Sequence, residues 1–586
     1  MKKQKRINLA DLGIIPGTEE DFTEKINKII EQNDEPCTYV FQKGIYRFFA
    51  SKGTQAKYSL CNTDRNTYRT LTLQIKNKKK ITFDGNGSKF LFAGNTQPIT
   101  LDSSANICLK NFTIDWEKPL VAEGIVFAKT PDYLDLRIDQ TLFPCFVSNF
   151  CLNFDIGDNE TSMLIFAGHT IYDGNSLSVA RNTADSLFFS SVEKISKDIF
   201  RLYTANRLSN DLAISIGDIV VLRHGKRLHA AVFAENCEFL KLNNIKIHSA
   251  PGIGILFQFC HGIHLDQLSI HPNQNLGRMV SCTRDDGIQA VNCRGSILIE
   301  NCNFFGLQDS PVNIHGSNIT VDNQASPNSL IGSGKRPHFL WAKPNDRISI
   351  VNNLSYETVY TAEVEQYAVY DDDACVVSFK KPIASLPYNN RHYSLENADN
   401  TPAVTIRNCH FGSCRARGLL VCTPKPVLIE ENYFESSGSA ILLHGDYSTY
   451  YESGACRDVT IRKNIFTDLC CLSQYENCLA VVNISPQVSR PMLTAPYHQN
   501  ITIEDNVFSS PGTPIIYAFD AGNLSFCRNK IFRSGRIATL TDRPLYLFAV
   551  CSDLLFKDNT EIGQFHAPTI RKITCTSRKE SNNNDQ

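Results

Sequence analysis

The sequence predicts an all-β fold: a right-handed parallel β-helix with an N-terminal capping helix and two inserted β-barrel or sandwich domains. Three observations predict it. One phrase recurs, as ILIENCNF at Ile297, VTIRNCHF at Val404, VLIEENYF at Val427, VTIRKNIF at Val459 and ITIEDNVF at Ile501. In each copy an Ile closes a short apolar run and a Phe follows five residues later. Copies fall 23 residues apart at Leu240 and Ile263, Val404 and Val427, and Ile501 and Leu524. Finally, Cys302 and Cys409 take the repeat position that Asn432, Asn464, Asn506 and Asn529 hold elsewhere, as the rungs of a corner ladder do. A strand-sized repeat at this period cannot bury its apolar face alone and must stack on its neighbours.

The elements follow in chain order. Residues 17–32, GTEEDFTEKINKIIEQ, read as a helix that Asp21 or Thr23 can cap, with Phe22, Ile26, Ile29 and Ile30 on one face. Such a helix covers the open end of a solenoid, and 1–117 therefore hold the cap and the first coils. The repeat then lapses. Residues 118–222 carry strands and turns without the period, as do 325–400, and both read as inserted barrel-like domains. Coils fill 223–324 and 401–570, and 571–586 form a polar, disordered tail.

Composition excludes some functions. Lys and Arg number 59 against 60 Asp and Glu, a net charge of −1, which gives no electrostatic case for nucleic acid or an anionic membrane surface. No apolar run reaches the ~18 residues of a membrane span. The 21 cysteines sit largely in repeat positions and read as reduced, small buried hydrophobes. Cys470 and Cys471 are adjacent, and no Cys pair has zinc spacing, so neither metal nor other cofactor is expected. The start MKKQKRINLADLGIIPG is basic but lacks an apolar signal core. The expectation is a cytoplasmic chain, the alternative a secreted or periplasmic one whose signal lies outside this sequence. Oligomeric state is not specified, a homodimer being compatible.

Chemistry concentrates on neighbouring coils. In a β-helix, groups one coil apart stack at about 4.8 Å. Asp286 in TRDDGIQAVN and Asp309 in QDSPVNIHG are 23 residues apart, which puts both on one face as the expected catalytic pair. Asp–Gly and Asp–Ser also shape turns. A paired carboxylate suits glycoside hydrolysis: one protonates the leaving oxygen while the other activates water or attacks the anomeric carbon. Asp285, Asn313 and His315 flank the pair. LLHGDYSTYYESG inserts a loop that stretches one repeat interval to 32 residues, Val427 to Val459. Within it Tyr450 and Tyr451 offer stacking surface, and Asp446 and Glu452 offer hydroxyl acceptors. Arg415 and Arg417 in CRARG reach the same face, and Arg223, His224 and His229 mark re-entry from the first insertion. No Lys/Arg cluster is evident on the catalytic coils.

These stretches resemble glycoside hydrolase family 110, the exo-acting α-1,3-galactosidases. The resemblance runs through ITFDGNGSKFLF, CLKNFTIDWEKP, VNCRGSILIENCNFFGLQDSPVNIHG, CRARGLLVCTP, VLIEENYFESSGSAILLHGD and YYESGACRDVTIRKNIF, in order over most of the chain. It implies a β-helix with two barrel insertions and metal-independent, inverting hydrolysis of terminal α-1,3-linked galactose, as in blood-group-B-type glycans. Two departures stand out. Where the family carries paired aspartates before Asn-x-His-Gly, this chain has Asp309–Ser310; where the family has one aspartate before the first Asn-Cys, it has Asp285–Asp286. The Asp286–Gly287–Ile288 and Gln308–Asp309 pieces also resemble polygalacturonases, without that family's Arg-x-Lys in register. The alternatives are therefore a polygalacturonase-like hydrolase or lyase and a non-catalytic glycan-binding β-helix.

Overall fold

The computed structural model describes residues 5–577, leaving out 61–66, 167, 182, 184–186, 209–213, 228, 335–337, 372–373, 387–389, 474, 476–477, 488–494, 536–543 and 566–569. It is a right-handed parallel β-helix. Each C-terminal coil makes three strands. Val404–Arg407, His410–Phe411 and Leu419–Val421 pair in parallel with Val427–Glu430, Tyr433–Phe434 and Ile441–Leu443, the first two pairs in the 23-residue register read from the sequence. Alternate residues of the first strand, Val404 and Ile406, enter the core while Thr405 and Arg407 stay at the surface. The Phe of each phrase stacks on that of the next coil. Phe304, Phe411, Phe434, Phe466 and Phe508 form a column with centroids 4.6–5.2 Å apart.

The corner ladder forms as the repeat position requires. Asn432 Nδ2 donates to the Ile406 carbonyl, and the Asn432 backbone N–H donates to Asn464 Oδ1, both at 3.0 Å. Asn464, Asn506 and Asn529 continue the same pattern. Cys409 Sγ accepts the Cys302 N–H at 3.4 Å where an amide oxygen accepts it later, so the thiol is an apolar rung with a weak acceptor. The cysteines of the described residues carry no disulfide.

The cap helix spans Thr23–Glu31, shorter than 17–32, because Asp21 stops it: its Oδ1 accepts the Thr23 N–H and its Oδ2 the Phe49 N–H. Phe22, Ile26 and Ile30 are buried over the first coils. The first insertion is a six-stranded antiparallel sheet with a three-stranded one beside it. The second is a closed six-stranded barrel. It grows from the coil itself: the strand Val312–Ser326 pairs in parallel with Ile288–Val291 at its start and antiparallel with Ser329–Ser333 and Tyr393–Asn397 at its end. At the C-terminus, Ile570–Ile573 pairs with Tyr546–Ala549, so the ordered solenoid runs past the expected start of a disordered tail at 571; residues 578–586 lie outside the described residues. Among the described residues no helix is long and apolar enough to cross a membrane.

Replacing Asn464 by Ala strands the Asn432 N–H and the Ile429 carbonyl inside the corner. At ~1–3 kcal/mol for each of the two buried groups left unpaired, the expected loss is about 2–6 kcal/mol. Denaturant unfolding checks it, and an unchanged midpoint contradicts the ladder's structural role.

Candidate active site

The site lies where two coils meet both insertions. Its floor is pinned from the side of the first insertion. Glu123, on the strand Val121–Lys129, accepts three successive backbone N–H groups, from Met279, Val280 and Ser281, at 2.7–3.0 Å. Arg278 is buried against Asp115 at 2.7 Å, with the His248 carbonyl as a second partner. The chain that follows, Thr283 to Gly287, therefore enters the site on a fixed path. Thr283 Oγ1 closes the turn by donating to the Asp285 carbonyl at 2.6 Å.

The coil spacing here is 24 residues, not 23. Ile288 pairs with Val312 and Gln289 with Asn313, and the Gly287 N–H donates to the Ser310 carbonyl. Asp286 therefore lies opposite Ser310, and Asp309 is displaced by one residue. The expectation of strict register between the two aspartates is corrected, although both still face one charge cluster. The extra residue is taken up in the turn that Asp309 shapes, its Oδ1 accepting the Ser310 N–H at 2.9 Å.

Arg227 organises the cluster. Its guanidinium is largely buried; Nη2 donates to Asp286 Oδ2 at 3.0 Å and Gln289 Oε1 at 3.1 Å, and Nε stands 3.8 Å from Asp285 Oδ2. Burial works against its charge, and Asp285, Asp286, Asp309 and Glu452 together outweigh that. The two adjacent aspartates part company electrostatically. Burial alone would raise Asp285, but Arg284, Arg227 and Arg223 overcome it and hold its carboxyl below the usual range; Arg284 Nη1 donates to it at 2.8 Å. Asp286 is pushed well above the usual range by burial and then by the Asp309 charge, which Arg227 offsets only in part. Neighbouring carboxyls displaced in opposite directions are the kind of division that acid–base chemistry uses. Asp309 is the more open, its side chain 23% exposed, with Arg415 Nη1 3.9 Å from Oδ2.

A polar chain runs on from this hub. Gln289 Nε2 donates to His315 Nε2 at 3.2 Å, while His315 Nδ1 pairs with the Gly316 carbonyl at 2.7 Å. Glu452 Oε1 is 3.6 Å from His315 Nε2 and accepts from Asn313 Nδ2 at 3.4 Å. Among the described residues, Asn313 Oδ1 and Gln308 Oε1 are buried without a hydrogen-bond partner, which leaves acceptors for a hydroxyl-bearing ligand. Glu452 reaches this place because Glu452–Ser453 adds as an antiparallel strand to Gly316–Ser317.

Sequence reasoning and structure part at several residues. Asp446 is fully buried, and its oxygens accept the N–H groups of Ser448, Thr449, Tyr450 and Tyr451, so it folds the loop rather than presenting acceptors to a sugar. Tyr451 sits in that turn at φ +62°. Arg415 Nη1 holds the Gln308 carbonyl at 2.8 Å, and Arg415 and Arg417 both stand 4.9 Å over the ring of Tyr475. His224 stacks on Phe154 and His229 is buried; burial drives both down to about 3, as core histidines. The expectation of no basic cluster also fails: the fold gathers Arg223, Arg227, Arg284 and Arg415 around the carboxylates. The sequence offered no spacing by which to find Arg227, Gln289 or Tyr475, although Arg284 adjoins the quoted Asp285–Asp286 pair.

Among the described residues, His264, Asp266 and Glu300 stand close enough to share a metal. They lie on strands of the other ladders, and Glu300 is already held by His264 at 2.9 Å and Arg407 at 2.7 Å. The reaction groups above do not include them.

No family model matches the chain. Among curated proteins it is 36% identical over 536 residues to one of Bacteroides thetaiotaomicron named alpha-1,3-galactosidase B, covering 90% of this chain and 86% of that one. It is 28% identical to an Akkermansia muciniphila protein of the same name, covering 94% and 69%, and 28% identical to alpha-1,3-galactosidase A of Shewanella woodyi, covering 97% and 92%. Of solved structures, the family 28 exopolygalacturonase of Yersinia enterocolitica has a TM-score of 0.45 at 12% identity, covering 98% of this chain and 78% of that one. The Streptococcus pneumoniae adhesin PfbA also has a TM-score of 0.45, at 11% identity, covering 98% and 100%. These two likenesses carry no functional argument.

Asp309→Asn is expected to leave the protein folded and to slow glycoside hydrolysis on the order of 100- to 10,000-fold, as loss of a proton-transferring group does. Asp446→Asn is expected instead to loosen its loop, read as lost amide-exchange protection at residues 448–451. A folded Asp309→Asn variant with near-normal turnover removes Asp309 from the chemistry.

Proposed function

Because the chain belongs to the exo-acting α-1,3-galactosidases of glycoside hydrolase family 110, we propose that it removes terminal α-1,3-linked galactose from glycans, with Asp286 as general acid and Asp309 as general base. The observation that carries the acid's assignment is the raised carboxyl of Asp286 beside Arg227, and Asp309 is assigned by its place on the next coil and its more open side chain. Asp286 keeps a proton to give to the departing glycosidic oxygen. Asp309, more open to the cleft, accepts a proton from the attacking water. Asp285 is held low between Arg284 and Arg227, and its charge adds to burial and the Asp309 charge in raising Asp286. Asn313, His315 and Glu452 form the polar wall that orients sugar hydroxyls.

Inversion is the stereochemical outcome that the family resemblance implies. Strand spacing alone, about 4.8 Å, suits the ~5–5.5 Å carboxyl gap of retaining enzymes. The one-residue offset between Asp286 and Asp309 adds about 3.3 Å along the chain, for a backbone separation of roughly 6 Å. That lies between the retaining gap and the ~6.5–9.5 Å gap that admits a water between base and sugar. Two carboxyls and a water suffice for this chemistry without a metal.

Proton NMR of the first-formed product of an aryl α-galactoside tests inversion: β-galactose is expected first, and α-galactose first overturns it in favour of a covalent intermediate. The pH–rate profile tests the acid. Activity falls as pH rises through the raised pKa of Asp286. Asp285→Asn removes a charge that raises it, so the basic limb is expected to move to lower pH, and an unmoved limb contradicts the assignment.

A further inference from the structure

The strand Ile288–Val291, which follows Asp285 and Asp286, belongs to a parallel sheet whose earlier strands Gln97–Asp102 and Ala230–Glu235 end in a second cleft. There Asp102, Glu235, Gln258 and Val291 follow one another in register, as the last residues of Gln97–Asp102, Ala230–Glu235, Ile253–Gln258 and Ile288–Val291. The next residue of each coil takes a left-handed conformation, at φ +48° to +55°. Three of these positions hold Ser103, Asn236 and Asn292, small polar residues that tolerate it. The fourth holds Phe259, a bulky residue for which the conformation is strained. Strain of this kind persists where the side chain is needed in that place.

What the Phe259 ring does is visible. It stacks under His338 of the barrel insertion at 4.7 Å, and His338 stacks under Phe339 at 4.4 Å. The column ends in a Phe339 that is 66% exposed, its ring fixed from below and open above. It borders a cleft of about 370 Å³ whose other walls include Tyr58, Asp102 and Glu235. The Tyr58 hydroxyl donates to Asp102 Oδ2 at 2.6 Å. Glu235, only 5% exposed, is oriented by Gln258 Nε2 at 2.5 Å and His338 Nε2 at 3.2 Å. A preformed aromatic platform next to oriented carboxylates matches a pyranose, which has an apolar C–H face and a rim of hydroxyl donors. The apolar cluster of Tyr58, Leu60, Phe233, Leu256 and Val291 lies beside it, and none of the residues around Arg227 lines the cleft.

We propose that this cleft is a second, non-catalytic binding site for a neutral glycan, with Phe339 as the stacking platform and Asp102 and Glu235 as hydroxyl acceptors. It rests on the glycan-directed reading above and gives that reading a second foothold. From the catalytic turns it is removed by one strand length and two coils, on the order of 20 Å, a span one branched glycan can bridge. Holding one branch raises the effective concentration of another at the catalytic end.

The test uses the whole chain and a β-galactosyl oligosaccharide that has no α-galactose. Binding is followed by calorimetry and saturation-transfer NMR in wild type, Phe339→Ala, Glu235→Gln and Asp309→Asn. Phe339→Ala removes an exposed ring and leaves the fold intact. Binding is expected to weaken about tenfold or more in Phe339→Ala, to weaken in Glu235→Gln, and to persist in Asp309→Asn. Hydrolysis of a small aryl α-galactoside is expected to be unchanged in Phe339→Ala, while kcat/KM on a branched glycan falls. Equal binding in Phe339→Ala and wild type overturns the proposal, as does a cleft that fills with Ca²⁺ alone and ignores the sugar. Failure of wild type to cleave the aryl α-galactoside is a separate result that bears on the catalytic reading and leaves the binding arm to decide this one.

Discussion

From Cys302 onward the coils of this molecule satisfy the polar backbone of their corners with side chains from the next coil. That single requirement explains the repeat. In a dry corner an unpaired N–H or carbonyl costs about 1–3 kcal/mol, and an Asn at a fixed position answers one of each: its amide donates to the coil before, and its oxygen accepts from that same coil. Asn432, Asn464, Asn506 and Asn529 do this in sequence. Where Cys302 and Cys409 take the rung, the thiol gives weaker acceptance and more apolar filling. The 4.8 Å step that the ladder enforces, about one strand spacing, also sets the spacing of the Phe column and of the functional side chains above it.

The active centre shows what happens when this regularity is interrupted in a controlled way. Both insertions leave the solenoid beside the catalytic turns and then hold those turns. The first sends back Glu123 to bind three consecutive N–H groups just upstream of Asp285. The second is an extension of the very strand that carries Asn313 and His315, and its Glu396 meets the hydroxyl of Tyr447 at 2.7 Å beneath the loop that delivers Glu452. Arg227, from the stretch that re-enters the solenoid, then faces four carboxylates. Its position helps hold the Asp285 carboxyl below the usual range and offsets only in part what raises Asp286. The arginines set how low Asp285 lies, while burial and the Asp309 charge set how high Asp286 lies.

The fold was legible because its signal is repeated: one coil is ambiguous, five are not. Strand, corner and Phe positions could all be read at single-residue level. The insertions were legible as interruptions, but their topology was not, since antiparallel pairing between distant segments such as Asn318–Thr320 and Ser394–Glu396 leaves no period in the chain. The candidate site was half legible. Asp285, Asp286, Asp309, Asn313, His315 and Glu452 meet in space because neighbouring coils bring them there. Asp446 misled, because a buried turn-former and an exposed hydroxyl acceptor are the same residue type. Arg227 and Tyr475 were missed because their partners lie tens of residues away and belong to no repeat. The one-residue slip between Asp286 and Asp309 was hidden by counting coils at 23 where this pair of coils uses 24.

The central claim is that Asp286 is held protonated beside an ionised Asp285. Difference infrared spectroscopy of the protonated carboxyl stretch, comparing wild type with Asp286→Asn across neutral pH, tests it most directly. The account requires a buried protonated carboxyl in wild type that is absent from the Asp286→Asn variant. A spectrum in which the substitution removes only an ionised carboxylate would contradict it and leave the site without its acid.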